Sequence, residues 1–300
     1  MTGALNYYDG RSEVPVGSDF PLPVTDFWIE QAIREIYSTY GDVVSVTKKK
    51  KSLVKFGRTL NADANVKTTV AIFQDAIVNE TFATTNSVDK VVSTSGSDTG
   101  AVTIEGHTID GSGNLTFVVQ DATLTGQTAV TLGTPLARAN RLYVKPGTFA
   151  SPASDLQGDV TVFDSTLSGG GVTSGKPDQD AAVKLLCRGS AGKNQTEKAA
   201  TSISSTDYWI VSKLHAGVTR TTGANAKVDV DLEFKKIGGV WRSMGVEAVL
   251  NQANESSLVE IFQPFLIVPK NSDVRMVATS DTNDTTLTGR FSGILAQVVS

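Results

Sequence analysis

From Tyr208 to Ser300 apolar residues recur at every second position or gather in short runs, with turn residues between them. In an extended chain successive side chains point to opposite faces, so this period predicts strands. They are expected over 208–215, 226–234, 240–250, 258–268, 273–278 and 287–296. The second is the clearest case: Val228, Val230, Leu232 and Phe234 share one face, and Asp229, Asp231 and Glu233 share the other, expected to be the solvent face. With shorter strands near 181–187 and 198–203 the total is about eight, the number in a two-sheet jelly roll. Pro264 and Pro269 mark strand edges or bends, because proline has no N–H to give to a ladder.

The preceding stretch has shorter strands rich in Thr, Val and Gly, at 66–73, 88–92, 100–106, 115–120, 127–132, 138–144 and 158–163. Turn signals such as Ser95–Gly100 and Asp110–Asn114 separate them at the spacing of an antiparallel sandwich. The fold class predicted is all-β. An N-terminal arm with one short helix (1–42) is followed by a β-sandwich or barrel domain (43–165), a Gly/Ser-rich linker (166–180) and a C-terminal jelly-roll-like β-sandwich (181–300).

In the arm, Pro15, Pro21 and Pro23 forbid an early helix, and the apolar points lie along an extended path suited to pairing with or lying on another surface. Thr25 or Asp26 is placed to cap a helix over 27–38, and Gly41 to end it. Its broad apolar face docks on its own chain or on a neighbouring subunit. Lys48, Lys49, Lys50 and Lys51, followed by Lys55 and Arg58, form the one basic cluster. It reads as a solvated face or a lysine-guarded edge strand, as a contact for an acidic partner protein, or as a nucleic-acid contact. The candidate partner-binding residues are Phe20, Leu22 and Val24 on the arm, Phe27, Trp28, Ile33 and Ile36 on the helix, and Lys48 to Lys51.

Charge and composition narrow the function. A net charge of −4 and a pI near 5.3 give the protein as a whole no electrostatic footprint for nucleic acid. Cys187 is the single cysteine, expected as a buried strand thiol, so no disulfide framework exists. The N-terminus lacks the basic start and apolar core of a signal peptide, and no apolar run reaches the roughly 18 residues of a membrane span, so a soluble protein of a reducing cytoplasm is expected.

Reactive groups are scarce. His107 and His215 are the only histidines, and both read as strand or turn residues. Zinc-type clusters, phosphate loops and nucleophile elbows do not occur. Asp281–Asp284 and Asp178–Asp180 resemble oxygen-ligand loops for calcium, but ordinary turn chemistry explains them. Trp209, Trp241 and Tyr208 read as core residues, with stacking on a sugar as the alternative. A non-enzymatic protein with no catalytic residues, cofactor or metal is therefore expected.

Three stretches resemble virion structural proteins of tailed bacteriophages, of the marine and cyanobacterial type. They are the arm Val14–Val24, the segment Val92–Gly106 continuing through Leu124–Leu132 to Arg138–Val144, and a C-terminal set comprising Gly238–Arg242, Phe262–Pro269, Ser272–Ala278 and Gly289–Leu295. The resemblance implies a capsid cement or decoration protein clamping neighbouring capsid subunits from outside. It implies localisation in the virion after assembly in the host cytoplasm. The expected partners are the major capsid protein or other virion proteins, with self-association as a homo-oligomer, a trimer, and with neither nucleic acid nor membrane. The alternative is a neck, tail or fibre-base protein that docks other virion components or binds a carbohydrate.

Overall fold

The computed structural model describes residues 6–8, 13–15, 45–62, 64–65, 67–69, 82–149, 155–166, 171–177, 187–189, 191–220, 226–252, 255–283 and 285–299. The helix predicted over 27–38, the Asp178–Asp180 loop and the site residues Phe20, Leu22, Val24, Phe27, Trp28, Ile33 and Ile36 lie outside them. Regular structure among the described residues is β throughout, and the chain is all-β. It divides into two compact units, Met1–Thr47 with Val299–Ser300, and Lys48–Val298. In the first, β1 (Asn6–Tyr8) pairs antiparallel with β2 (Glu13–Pro15), so these arm residues pair with each other.

In chain order the remaining strands begin with β3 (Ser45–Ala62) and β4 (Lys67–Thr69). Next come β5 (Val88–Ser93), β6 (Ala101–Ile109), β7 (Leu115–Thr123), β8 (Val130–Leu136), β9 (Arg138–Val144) and β10 (Val160–Phe163). The short strands β11 (Val172–Thr173), β12 (Lys176–Pro177) and β13 (Cys187–Gly189) follow. The series ends with β14 (Ala200–Ile203), β15 (Asp207–Arg220), β16 (Ala226–Lys236), β17 (Arg242–Gln252), β18 (Glu255–Val268), β19 (Ser272–Ser280) and β20 (Thr285–Val299).

Strand order identifies the C-terminal sandwich. One sheet runs β18-β15-β20-β3, and the other runs β14-β19-β16-β17 with β4 added beside β19. Counting β3 and then β14 to β20 as first to eighth, the sheets read 6-3-8-1 and 2-7-4-5, which is the order of an eight-stranded jelly roll. Its first strand comes from residues 45–62, ahead of the shorter-stranded region, so the sandwich does not begin after a linker at 166–180 as the sequence pattern implied. The described residues between 82 and 196 form a lobe inserted between the first and second jelly-roll strands. The reason is ladder pairing: alternation marks a strand's faces but not its partner, and β3 finds β20 at the other end of the chain.

The core follows from the alternation. Leu214, Ala216 and Val218 of β15, Leu287 and Phe291 of β20, Val228, Val230 and Leu232 of β16, and Val274, Met276 and Ala278 of β19 meet between the sheets. Trp209 is fully buried against Phe291, with ring centroids 5.0 Å apart. Along β15 the buried positions step from Trp209 and Val211 to Leu214, one residue out of phase, and the ladder to β20 shifts between Val211 and Lys213. The bulge at Ser212 thus returns the apolar residues to the core face. Opposite it, a Cβ on Gly293 would lie 2.0 Å from the Ile210 carbonyl oxygen. Pro264 falls in the edge strand β18, where the ladder to β15 is also irregular, as expected for a residue without an N–H.

The inserted lobe is a second sandwich, with sheets β13-β10-β5-β8 and β7-β6-β9 around Val91, Val102, Ile104, Leu124, Leu142, Val160 and Val162. Within the stretch expected as a flexible linker, β11 and β12 form a tight hairpin through Ser174 and Gly175, both at positive φ. A Cβ on Gly175 would meet the Ser93 carbonyl oxygen at 2.0 Å, so the hairpin lies directly on the end of β5.

Gly293→Ala tests the bulge: forcing a methyl against the Ile210 carbonyl is expected to cost about 1–3 kcal/mol. A lower urea midpoint at unchanged slope is the expected reading, and an unchanged midpoint would show that the two strands separate freely there.

Candidate functional site

The described polar groups with chemical potential converge where the inserted lobe meets the jelly roll. Arg138 opens β9, and Asp273 lies in β19. The guanidinium donates through Nε to Asp273 Oδ1 at 2.8 Å and through Nη2 to Oδ2 at 3.0 Å, with both side chains almost fully buried. Its Nη1 donates to the carbonyls of Ala83 and Ala137, and the Ser202 hydroxyl donates to Asp273 Oδ1 at 2.6 Å. Charge and hydrogen-bonding capacity are satisfied together, the condition under which a buried ion pair is tolerated.

A second ion pair is joined to the first by aromatic rings. Arg138 lies over Phe82 at 4.9 Å, the Phe82 and Trp241 centroids are 5.3 Å apart, and Arg275 stacks on Trp241 at 4.0 Å. Arg275 donates to Glu233 Oε2 at 3.0 Å, and Lys67 donates to Oε1 of the same carboxylate. Glu233 is therefore buried, contrary to the solvent-face expectation, where Arg275 of β19 and Lys67 of β4 pair with it, while Asp229 and Asp231 on the same face stay part-exposed. Asp231 is half-buried, and burial raises its carboxyl above the ordinary range, opposed by the Ser243 hydroxyl donating to it at 2.8 Å. Trp209 is a core residue, as expected, whereas Trp241 is a half-buried rung of this stack just before β17.

The third group surrounds His107. His107 Nδ1 lies 2.9 Å from Asn140 Nδ2, and Nε2 lies 3.2 Å from Ser204 Oγ. Donor and acceptor roles in this trio follow the imidazole tautomer. In residue types alone, a serine beside a histidine resembles an activated nucleophile. The trio acts as a cross-link between β6, β9 and the turn after β14. Beside it lies a cavity of 310 Å³ whose lining includes Leu53, Lys55, His107, Phe117, Asn140 and Ser204. Lys55 donates to the Asn140 carbonyl at 2.9 Å and is buried. The basic run read from the sequence is therefore divided: Lys55 turns into the seam, while Lys48 to Lys51 lie in β3, an edge strand of its sheet.

Asn271, in the left-handed conformation at φ 59°, closes the far end of the seam. Its Oδ1 accepts from Leu115 N at 2.8 Å and its Nδ2 donates to Gly113 O at 2.8 Å, fastening the β18–β19 turn to the turn after β6. His215 lies on the outer face of β15. In the loop weighed for calcium, Asp281 Oδ1 accepts from Lys227 N and Asn283 Oδ1 from Ala64 N, so both residues tie the loop to distant segments. No group of metal-ligating side chains occurs among the described residues. Arg138, Asp273, Arg275 and Asn271 were not singled out from sequence. The available signal was Ser272-Asp-Val-Arg-Met-Val-Ala278, where charged residues stand inside an otherwise apolar strand.

No family model matches the chain, and no curated protein matches it. Among solved structures it is similar to T=1 particles derived from infectious bursal virus, at 10% identity over 89% of this chain and 75% of that one, with a TM-score of 0.21. It is likewise similar to the infectious bursal disease virus VP2 subviral particle, at 10% identity over 89% and 78%, with a TM-score of 0.20. The T13 particle of that virus gives 10% identity over 92% and 81%, with a TM-score of 0.18. Scores this low carry no argument about fold or role.

Replacing Asp273 with Asn leaves Arg138 buried against a neutral partner and is expected to destabilise by about 3–5 kcal/mol. The double change Arg138→Met with Asp273→Leu is expected to recover most of that loss in equilibrium unfolding. Asp231→Asn is expected to stabilise slightly at pH 7, by about 0.5 kcal/mol after solvent screening. Because the folded carboxyl is raised above 3.8, the stability it contributes is fullest below that pH and falls as pH rises through the raised value. The two proteins should therefore converge in melting temperature near pH 3 and differ most at neutral pH.

Proposed function

We propose that this chain is a non-enzymatic structural protein of a virion, a cement or decoration component that holds neighbouring capsid subunits together from the outside. The observation that carries this reading is the use of its reactive groups. Arg138 with Asp273 and His107 with Ser204 cross-link the inserted lobe to the jelly roll, and Arg275 with Glu233 ties two strands of the jelly roll together. The product is a stiff, sheet-built body suited to persistent contact. The jelly roll adds support by analogy of fold, being common in capsid proteins though also in lectins and cupins. The motif resemblance to phage particle proteins supplies the finer assignment. Repeated weak contacts by many copies, with an arm reaching a neighbour, give strong attachment through effective concentration.

A second reading has its own support: an eight-stranded jelly roll with a lobe inserted after its first strand suits a subunit that itself builds a shell. Imaging of the particle separates the two. Copies on the order of hundreds seated outside a continuous shell are expected; copies forming the shell favour the second reading, and a handful at one vertex or on a fibre would overturn both. Removal of residues 1–40 is expected to leave the melting of the β body within a few degrees of the full chain while abolishing attachment to particles. Full retention of attachment would remove the arm from the account.

A further inference from the structure

The outer face of the β18-β15-β20 sheet carries a grid of side chains fixed by the ladder. One row is Ile261, Lys213 and Ser292, and the next is Val259, His215 and Arg290. Neighbouring columns are about 4.8 Å apart and rows about 7 Å apart. Leu214, Ala216, Phe262 and Phe291 alternate with these residues and fill the core, so the grid faces outward. Ile261 is 66% and Val259 51% exposed, on the edge strand of the sheet. Lys213, His215, Arg290 and Ser292 line a depression of 220 Å³.

Two features of the grid work against the free protein. His215 and Arg290 are directly cross-strand with Lys213 beside them, and cationic neighbours at that distance repel when both are charged. Neither Lys213 nor Arg290 has an ion pair or hydrogen bond with any described residue. Elsewhere Lys145 pairs with Asp121, Lys227 with Asp229, and Arg275 with Glu233. The chain as a whole is acidic, so this uncompensated basic spot is a local departure from its surroundings. Beside it stand two large exposed aliphatic side chains, which also lose free energy to water.

We propose that this grid docks an extended acidic segment of a neighbouring polypeptide. Carboxylates of the segment lie over Lys213 and Arg290, and its apolar side chains cover Val259 and Ile261. Charge complementarity and the mixed surface select this occupant. A nucleic acid needs a longer run of cations and is repelled by the net charge of −4, and a free inorganic anion leaves the aliphatic column uncovered. The proposal rests on the reading of the chain as an assembly component and names the chemistry of one contact.

The test uses the full chain and a fluorescein-labelled octapeptide of alternating Glu and Val, followed by fluorescence anisotropy. The wild type is expected to bind it in a salt-sensitive manner, with Lys213→Glu/Arg290→Glu weakening the affinity at least about tenfold. Val259→Ser/Ile261→Ser is expected to weaken it about threefold with the salt dependence unchanged. A peptide with Gln in place of Glu, sulfate alone and a single-stranded oligothymidylate serve as comparators. Absence of binding by the wild type overturns the proposal, as does equal binding of the Gln peptide or equal binding by the charge-reversed variant. Tighter binding of the oligothymidylate also overturns it and assigns the surface to nucleic acid. Should charge reversal impair folding, Lys213→Ser/Arg290→Ser provides the same comparison. That variant is also expected to melt higher than wild type at low salt, and no higher at high salt. Loss of peptide binding with intact particle attachment separates failure of this surface from failure of the proposed function.

Discussion

A charge pair withdrawn from water between two sandwiches decides how the body is built. Arg138 and Asp273 come from different lobes, and each would be strongly unfavourable in that place without the other. Their joint burial makes the position of the inserted lobe on the jelly roll a condition of stability, because sliding by one residue would expose neither charge to water and satisfy neither. Two aromatic rings carry the same constraint to Arg275 and Glu233, so both ion pairs respond to one geometry.

The same seam explains why the scarcity of catalytic motifs is informative only in part. His107 and Ser204 would look suggestive as a list of residue types. Asn140 and Ser204 each lie within hydrogen-bonding distance of one nitrogen of the imidazole. The arrangement ties β6 to β9 and to the turn after β14, a cross-link inside the seam.

Much of the fold was legible because strands are written locally. Period-two alternation located 138–144 to the residue, and the runs around 88–92, 226–234 and 273–278 to within a few positions. The proline marks in β18 and after it also fell where pairing weakens. What alternation does not encode is partnership. It showed Lys48–Arg58 as a basic stretch interrupting apolar residues, whereas the ladder makes it a single strand of the C-terminal jelly roll. Glu233 was misread for a related reason: its face is polar by pattern, but two other strands each bring a cation to it, Arg275 from β19 and Lys67 from β4. The seam residues were illegible because each is matched by a partner between about thirty and more than a hundred positions away, and a spacing of that kind leaves no periodic trace.

Separation of the first jelly-roll strand from its neighbour also bears on how the nascent chain reaches its native state. β3 hydrogen-bonds to β20, more than 200 residues downstream, so the sheet that contains both cannot close until β20 has been synthesised. The ladders of the intervening lobe pair strands within residues 88–189 and can form before β20 is available. Until β20 arrives, β3 offers an unpaired edge on the growing chain, and its run of lysines supplies the like-charge repulsion that keeps such an edge from pairing with another molecule.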